Sequence, residues 1–448
     1  MTGAKGMLTL DSRLPGEQIR LRHSMVKFHG SPSDELEICG TNARALPFKL
    51  NRQIVKILED LGVRAEIFEK LQEEAIRRLR MSASSRSVAL DLIIQQLSDS
   101  ASGLPTLLRH LARIGIDATE ADFLREILGA LLQIQLREIK YRTRILVPMA
   151  NTLYGISDET GLLKEGEVYV TFVDEKSKKH CCLQGVVAVT RSPALHPGDV
   201  QIAQAIAPPE NSALWDLRNC IVFSQQGRRD LPSMLSGGDL DGDLYNIIYD
   251  ENLIPPVTVD PAAYVPAQPV DIGRTVTAED MQSFFVDFMQ NDQLGRIASL
   301  HQVFADTKGT FSPECIRLAA LHSTAVDFSK SGVPVDSKQI PRAPPYRADF
   351  MAPSASTKVE KGIKRPEELA LPNNGQPYRY YESEKVLGRL YRAVDEDAFF
   401  DDLEDDNSSL FSKTATNDVL AEILDWILSQ IGSSRIQGYR EMAWNLKE

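Results

Sequence analysis

The stretch SGGDLDGDLYNIIYD, residues 236–250, sets three aspartates at alternate positions, Asp239, Asp241 and Asp243, with Gly242 between the last two. Extended backbone sends alternate side chains to one face, so the three carboxylates can point together. Like charges about 5 Å apart, at an effective dielectric of about 20, repel by roughly 3 kcal/mol per pair. Such a cluster calls for a cation. Hard divalent ions take oxygen ligands, and magnesium in particular is held by a few carboxylates together with substrate phosphates. Gly242 has no side chain, so it permits a tight bend or the close approach of a phosphate-bearing ligand.

Two plainer readings compete. An acidic surface turn is the commonest fate of a short Asp/Gly cluster. A calcium-binding EF-hand loop also begins Asp-x-Asp-x-Asp, and Asp250 falls at its twelfth position. The EF-hand fails because its sixth position must be glycine, whereas Leu244 stands there, and because the β-forming LYNIIYD follows where a helix is needed. Against the surface turn stand the flanks NCIVFSQ (219–225) and LYNIIYD (244–250), which both read as buried strands. The spacing favours the metal site and leaves the acidic turn open.

At 448 residues the chain is long for one core and calls for two to four structural units. Its 43% hydrophobic and 25% charged residues are those of an ordinary soluble protein, and it has no uninterrupted apolar run long enough to cross a bilayer. No membrane association is expected. The amino terminus MTGAKGMLTL lacks the regions of a secretory signal, which predicts an intracellular protein with nuclear or cytoplasmic residence left open. Five cysteines, odd in number and without zinc-ligand spacing, argue against a disulfide framework or a zinc site.

The net charge of −12 is unevenly spread. Residues 395–406, DEDAFFDDLEDD, hold eight acids and no base, and without them the balance is −4. That run reads as a solvated loop. Basic clusters remain at RRLR (77–80), REIKYRTR (137–144) and GRR (227–229), so phosphate contacts would have to be local. RRLR also reads as the solvated face of an amphipathic helix.

Residues 1–50 mix strand-like pieces with glycine and proline. From residue 51 the period becomes helical: Ile54, Val55, Ile57, Leu58 and Leu61 precede the stop at Gly62, and a second apolar stripe covers residues 65–80. A third helix is expected from Thr119, which with Asp122 resembles a capping box, through Ile134. After residue 141 the period switches to two, predicting strands at GEVYVTFVD, GVVAVTRSP, DVQIAQAI, NCIVFSQ and LYNIIYD. In DVQIAQAI, Val200, Ile202 and Ile206 would share the buried face. A Pro-rich linker then spans NLIPPVTVDPAAYVPAQPVD, helices resume at AEDMQSFFVDFMQNDQLGRIASLHQVFAD, a loop-rich stretch runs to about residue 375, and a last helix is expected at TNDVLAEILDWILSQI.

The segment GRRDLPSMLSGGDLDGD, Gly227 to Asp243, resembles the active-site signature of the cell-encoded RNA-dependent RNA polymerases of eukaryotic RNA silencing. Other blocks agree in the same order: IRLRHSMVKF, RILVPMANTLYGISDETGLLKEGEVYVTF, NDQLGRIASLHQVFAD, LAALHSTAVDFSKSGVPV and YYESEKVLGRLYR. The resemblance covers most of the chain and points to a fungal-like, carboxy-terminal portion of such an enzyme. It implies an α+β fold: a double-psi β-barrel catalytic domain with a helical connector and helical neck and head elements. The boundaries expected are 1–50 for the distal part of a first, truncated barrel, 51–140 for the connector, 141–255 for the second barrel carrying the aspartates, and 256–448 for the neck and head.

The implied function is RNA-directed RNA synthesis in RNA silencing. Asp239, Asp241 and Asp243 would bind magnesium, with manganese as a substitute, and serve nucleotidyl transfer from nucleoside triphosphates by two-metal logic. RNA template and product, nucleoside triphosphates and RNA-silencing proteins are the implied partners. Lys5 resembles a family lysine that faces the aspartates. Arg22 and Lys27, in RHSMVKF, and Arg229 and Gly242, beside the triad, are the further nucleotide or RNA contacts, although His23 stands where the family has proline. Because the resemblance places the start of the chain inside the first barrel, residues 1–50 are expected to pack poorly, and the activity of the chain alone stays open. The alternatives are a non-catalytic RNA-binding fragment that keeps the fold, or another two-metal phosphotransfer enzyme such as a nuclease.

Overall fold

The computed structural model describes residues 2–30, 33, 35–84, 122–174, 177–265, 267–354, 356–369 and 378–405, with single positions 90, 92, 106 and 110. The chain divides into two compact units, Met1–Gln72 with Tyr141–Ala393, and Glu73–Lys140 with Val394–Glu448. The amino-terminal residues of the first unit form little core. Strand β1 (Thr2–Ala4) pairs antiparallel with β2 (Val26–His29), and among the described side chains of residues 3–44 only Met25 is buried. Leu10, Phe28 and Ile38 are exposed. Strand β3 (Leu46–Lys49) leaves this pair and joins the main sheet, where Phe48 is buried.

Residues 146–248 build a closed barrel. The strands are β4 (Leu146–Ser157), β5 (Glu167–Val173), β6 (His180–Cys182), β7 (Gly185–Arg191), β8 (Val200–Ala205), β9 (Cys220–Phe223) and β10 (Leu244–Ile248). Six of them close in the order β10-β7-β8-β5-β9-β4, with β10 pairing back onto β4; β3 and β6 add to the outside of the ring. Closure removes free edges from the six. Two pairs, β4–β9 and β5–β8, run parallel among antiparallel neighbours, as crossing connections in a double-psi barrel require.

The interior is filled from Leu153, Val170, Val189, Ile221, Phe223 and Ile247, each worth about 1.5–3 kcal/mol on full burial. Tyr245 and Phe223 meet edge-to-face at 4.8 Å. A Cβ on Gly155 would lie 2.4 Å from the Tyr245 ring, so only glycine lets β4 close on β10 here. One strand departs in part from the expected face, although Val200 is buried as expected. In β8, Ala203 and Ala205 turn inward and Ile202 lies at half-buried positions with Gln201. Interiors are close-packed, and the two alanines fit among the larger Val189, Phe223 and Tyr245 of the same core cluster.

Outside the barrel, helix α1 (Arg52–Asp60) buries Ile54, Val55, Ile57 and Leu58, and α2 (Ala65–Ser84) follows, as the stripes predict. Helix α3 (Asp122–Arg142) covers the described part of the third stripe; Thr119 and the helix expected at residues 416–431 lie outside the described residues. Past α4 (Leu231–Met234), the next helical stretch divides into α5 (Ala278–Asn291), none of whose residues is buried, and α6 (Leu294–Lys308). The stretch read as loop-rich holds a helix, α7 (Pro313–Val326), then a short α8 (Phe328–Ser331), and a parallel three-stranded sheet of β11 (Tyr346–Ala348), β13 (Arg379–Tyr381) and β12 (Val359–Glu360). Helix α9 (Val386–Arg392) follows this sheet.

The acidic run is the other correction. Residues 396–405 form helix α10 (Glu396–Asp405), with Phe399 and Leu403 buried. Its acids meet the basic clusters of the same unit: Asp402 pairs with Arg80 at 2.8 Å, and Glu396 with Arg137 at 2.9 Å and Lys140 at 3.4 Å. Partly exposed ion pairs contribute little each, so the two apolar anchors supply the stability and the charges set the orientation. Among the described residues no helix is long and apolar enough to cross a membrane, and the five cysteines are all free.

His301 in α6 and His322 in α7 are buried, and burial pushes both down to about 4. A base with a folded pKa below its unfolded value takes its proton first in the unfolded chain, so stability is lost as pH falls from about 6.5 towards 4. Asp199, pushed up to about 6 by burial, acts in the opposite sense in the same window. The histidine contribution is therefore read as a difference. Between pH 7 and 4.5 the parent chain should lose about 1–3 kcal/mol more unfolding free energy than His322→Gln; equal losses in denaturant titrations would remove the buried neutral histidine.

Candidate metal centre

The three aspartates lie on the bend between α4 and β10. Asp230 caps α4 by accepting from the Ser233 N–H at 2.8 Å, and Pro232 sits in its first turn. The chain then turns through Ser236 (φ 52°) and Gly237 (φ 64°), and at Gly242 φ reaches 132°, a conformation L side chains rarely adopt. Beyond the bend β10 is held on both sides, by β4 and by β7. The aspartate loop is thus tied to a strand that cannot shift without opening the barrel.

Within the loop each turn is held by a hydrogen bond. The Asp239 N–H donates to Asp243 Oδ2 at 2.9 Å, the Asp241 N–H donates to Asp239 Oδ1 at 3.3 Å, and the Tyr245 hydroxyl donates to the Asp239 carbonyl at 2.8 Å. These bonds bring one oxygen from each carboxylate to within 4.8 Å of the others. That is the only such ligand group among the described residues. Three oxygen donors at this spacing suit a hard divalent cation.

Cations already face the cluster. Lys5 Nζ lies 2.5 Å from Asp241 Oδ2, reaching from the end of β1 across 236 positions of sequence. Arg191, the last residue of β7, grips Asp243 with Nε at 2.7 Å from Oδ2 and Nη2 at 3.1 Å from Oδ1. Asp239 is pushed up, first by burial and then by its hydrogen bond and repulsion with Asp241 and the charge of Asp243. Burial works to raise Asp241 too, but the hydrogen bond and charge of Lys5 outweigh it and hold that carboxyl down. Lys5 is held above the usual lysine range, chiefly by the same hydrogen bond.

Of the other residues singled out in the sequence, Gly242 is at the exposed apex of the bend. Arg22 pairs with Glu159 at 2.7 Å and donates to the Met7 carbonyl at 3.1 Å. Lys27 is exposed on β2. Arg229 turns to the protein: it donates to Ser233 Oγ at 3.2 Å, to the Ser233 carbonyl at 2.7 Å and to the Ala262 carbonyl at 2.9 Å. None of these three meets the carboxylates in a hydrogen bond or ion pair. Arg191 was not anticipated. Its signal was a lone arginine ending the apolar run GVVAVTR, but only the β7–β10 register, which sets Arg191 opposite Tyr245, brings it to Asp243.

The chain matches the family model described as RNA dependent RNA polymerase over residues 1–394. It is 35% identical over 408 residues to Probable RNA-dependent RNA polymerase 2 of Oryza sativa subsp. japonica, covering 88% of this chain and 33% of that protein. Against RNA-dependent RNA polymerase 1 of Arabidopsis thaliana it is 34% identical over 400 residues, with 88% and 33% covered. Against RNA-dependent RNA polymerase 1 of Schizosaccharomyces pombe it is 31% identical over 385 residues, with 78% and 31% covered. Among solved structures, RNA dependent RNA polymerase QDE-1 from Thielavia terrestris superposes with a TM-score of 0.65 at 21% identity, covering 99% of this chain and 53% of that one. The chain spans about a third of the length of these curated relatives.

Replacing Arg191 by methionine leaves Asp243 beside two like charges without its counter-charge. In metal-free buffer Arg191→Met should lower the unfolding free energy by about 1–2 kcal/mol. Urea titration checks this, and an unchanged transition would show that the pair carries no net stability.

Proposed function

The chain belongs to the RNA-dependent RNA polymerase family, and from that premise we propose that its triad is the catalytic centre of template-directed RNA synthesis from nucleoside triphosphates. The observation that carries this reading is the convergence of Asp239, Asp241 and Asp243 within 4.8 Å on a loop of the closed barrel. When bound, magnesium, with manganese as its substitute, would be held by these three residues and would supply the charge that makes a 3′-hydroxyl acidic and neutralises the triphosphate.

The chain's own residues do the rest by position and charge. Lys5 stands on the triad from a separate strand pair, with an exposed ammonium that can pass from Asp241 to a phosphate oxygen. Arg191 stays on Asp243 and holds the plane of that carboxylate. Gly242 leaves the apex of the bend open to a phosphate. In this reading residues 141–255 are the catalytic barrel, with β3 lent by residues 1–50, residues 51–140 are the connector, and residues 256–448 are the neck and head. RNA template and product, and the proteins of RNA silencing, are the partners that go with it. Arg22 and Lys27 remain the proposed RNA contacts at the amino end, while the bonds of Arg229 favour a supporting role in the fold.

Incorporation of labelled nucleotide should require a template, all four triphosphates and a divalent ion, and Asp243→Ala should reduce it by at least ~10²-fold, since even residues that only orient a metal ligand are worth 10–100-fold. Equal, measurable incorporation by the two proteins would overturn the assignment. Shortening of labelled RNA in magnesium without triphosphates would point instead to a nuclease.

A further inference from the structure

Two segments remote in sequence meet beneath the aspartate loop. Asp199, fully buried, closes the 3-10 turn Pro197–Asp199 between β7 and β8. Its Oδ2 accepts from the N–H groups of Leu195 and His196, both at 2.9 Å, and its Oδ1 accepts from the Ser236 N–H at 3.1 Å and the Tyr264 hydroxyl at 2.6 Å. Four donors satisfy the carboxylate and tie three stretches of chain to one side chain.

Ser236 carries this grip toward the triad. It is a non-glycine residue in the left-handed region, a strained conformation that persists only where the surroundings over-determine it. Here each of its polar groups is held: N–H by Asp199, Oγ donating to the Pro193 carbonyl at 2.6 Å, and carbonyl accepting from Arg191 Nη1 at 3.3 Å. The same Arg191 grips Asp243. Hydrogen bonds therefore run unbroken from Tyr264 through Asp199, Ser236 and Arg191 to Asp243.

Residues 257–264, within the Pro-rich stretch that reads as a linker, act as a strap over this network. Gln201 Nε2 donates to the Val259 carbonyl at 3.0 Å, Arg229 Nη2 to the Ala262 carbonyl at 2.9 Å, and Tyr264 to Asp199. The strap presses so closely that a Cβ on Gly198 would lie 2.4 Å from the Asp260 carbonyl oxygen.

We propose that Asp199, clamped by Tyr264, is the positioning residue of the aspartate loop: it fixes Ser236 and, through Arg191, sets Asp243 at cation-binding distance from Asp239 and Asp241. No hydrogen bond joins Asp199 or Tyr264 to the three carboxylates, so both act through other residues. The proposal rests on the reading of the triad as divalent-cation ligands, and it goes beyond that reading by assigning a role outside the loop.

The test is manganese binding by the full chain at pH 7, followed by electron paramagnetic resonance, with melting temperature recorded for every variant. The set is the parent chain, Asp243→Asn, Asp199→Asn, Tyr264→Phe, and Tyr381→Phe as a control. Tyr381 also donates from a buried position to a buried carboxylate, Asp306, at 2.5 Å, but outside this network. Asp243→Asn should abolish tight binding, Asp199→Asn should weaken it about 10–100-fold, as loss of groups that orient a metal ligand does, and Tyr264→Phe by about 3–10-fold. Tyr381→Phe should lower the melting temperature and leave the affinity unchanged.

Parent-like affinity in both Asp199→Asn and Tyr264→Phe, with Asp243→Asn inactive in binding, overturns the positioning role and keeps the metal site. A loss in Tyr381→Phe equal to that in Tyr264→Phe reduces the effect to general destabilisation and overturns it as well. Equal binding by the parent chain and Asp243→Asn overturns the metal reading itself, and the proposal with it. Should Asp199→Asn fail to fold, Tyr264→Phe decides alone, since it removes a single oxygen atom.

Discussion

Three carboxylates on five consecutive residues repel one another, and the loop that carries them survives because its surroundings supply opposite charge and fixed donors. Lys5 and Arg191 each take one carboxylate, at 2.5 Å and 2.7 Å, and the Asp239 and Asp241 N–H groups turn back onto the cluster. None of this would hold on a mobile loop, where the cheapest response to like charge is to splay. The barrel prevents that. Strand β10 is paired on both flanks, Gly155 lets it approach β4, and Tyr245 reaches from its buried start to the Asp239 carbonyl.

The cations around the loop divide by their surroundings. Arg191 and Arg229 spend their planar donor forks on fixed protein acceptors, a carboxylate and backbone carbonyls, and so act as braces. Lys5 is a point charge on a flexible stem, 63% exposed, and the one of the three whose bond can be exchanged for a ligand's at low cost. An acidic chain can serve a polyanion on these terms, because the charge that matters lies within a few ångströms of the site. Two acids of the acidic run are paired elsewhere, Asp402 with Arg80 and Glu396 with Arg137 and Lys140.

The claw, the glycine bend and most strands of the barrel were legible because each rests on local periodicity: alternate aspartates, alternate β-formers and turn residues between them. The amino-terminal lysine was legible only through resemblance to a family. What escaped were features whose cause lies across the fold. Arg191 stands 48 residues before Asp239, and nothing near it in sequence marks an acid to pair with. Ala203 and Ala205 join the barrel's core cluster through packing with strands distant in sequence, whereas side-chain hydrophobicity alone favours Ile202. The acidic run reads as a solvated loop until Phe399 and Leu403 find a place to be buried.

By itself the sequence determined which chemistry is available: oxygen ligands in one register, on a chain whose strand and helix stripes are set by the periods of two and 3.6. Tertiary structure alone decided which charges meet. Hydrogen-bond and Coulomb partners act over a few ångströms of space and are indifferent to separation along the chain, so Asp199, Ser236 and Tyr264 become one network only when the barrel closes and the strap lies down. The same physics parts residues that sequence groups together. Arg229, ten positions from Asp239, turns away to backbone carbonyls, while Lys5, more than two hundred positions off, supplies the charge.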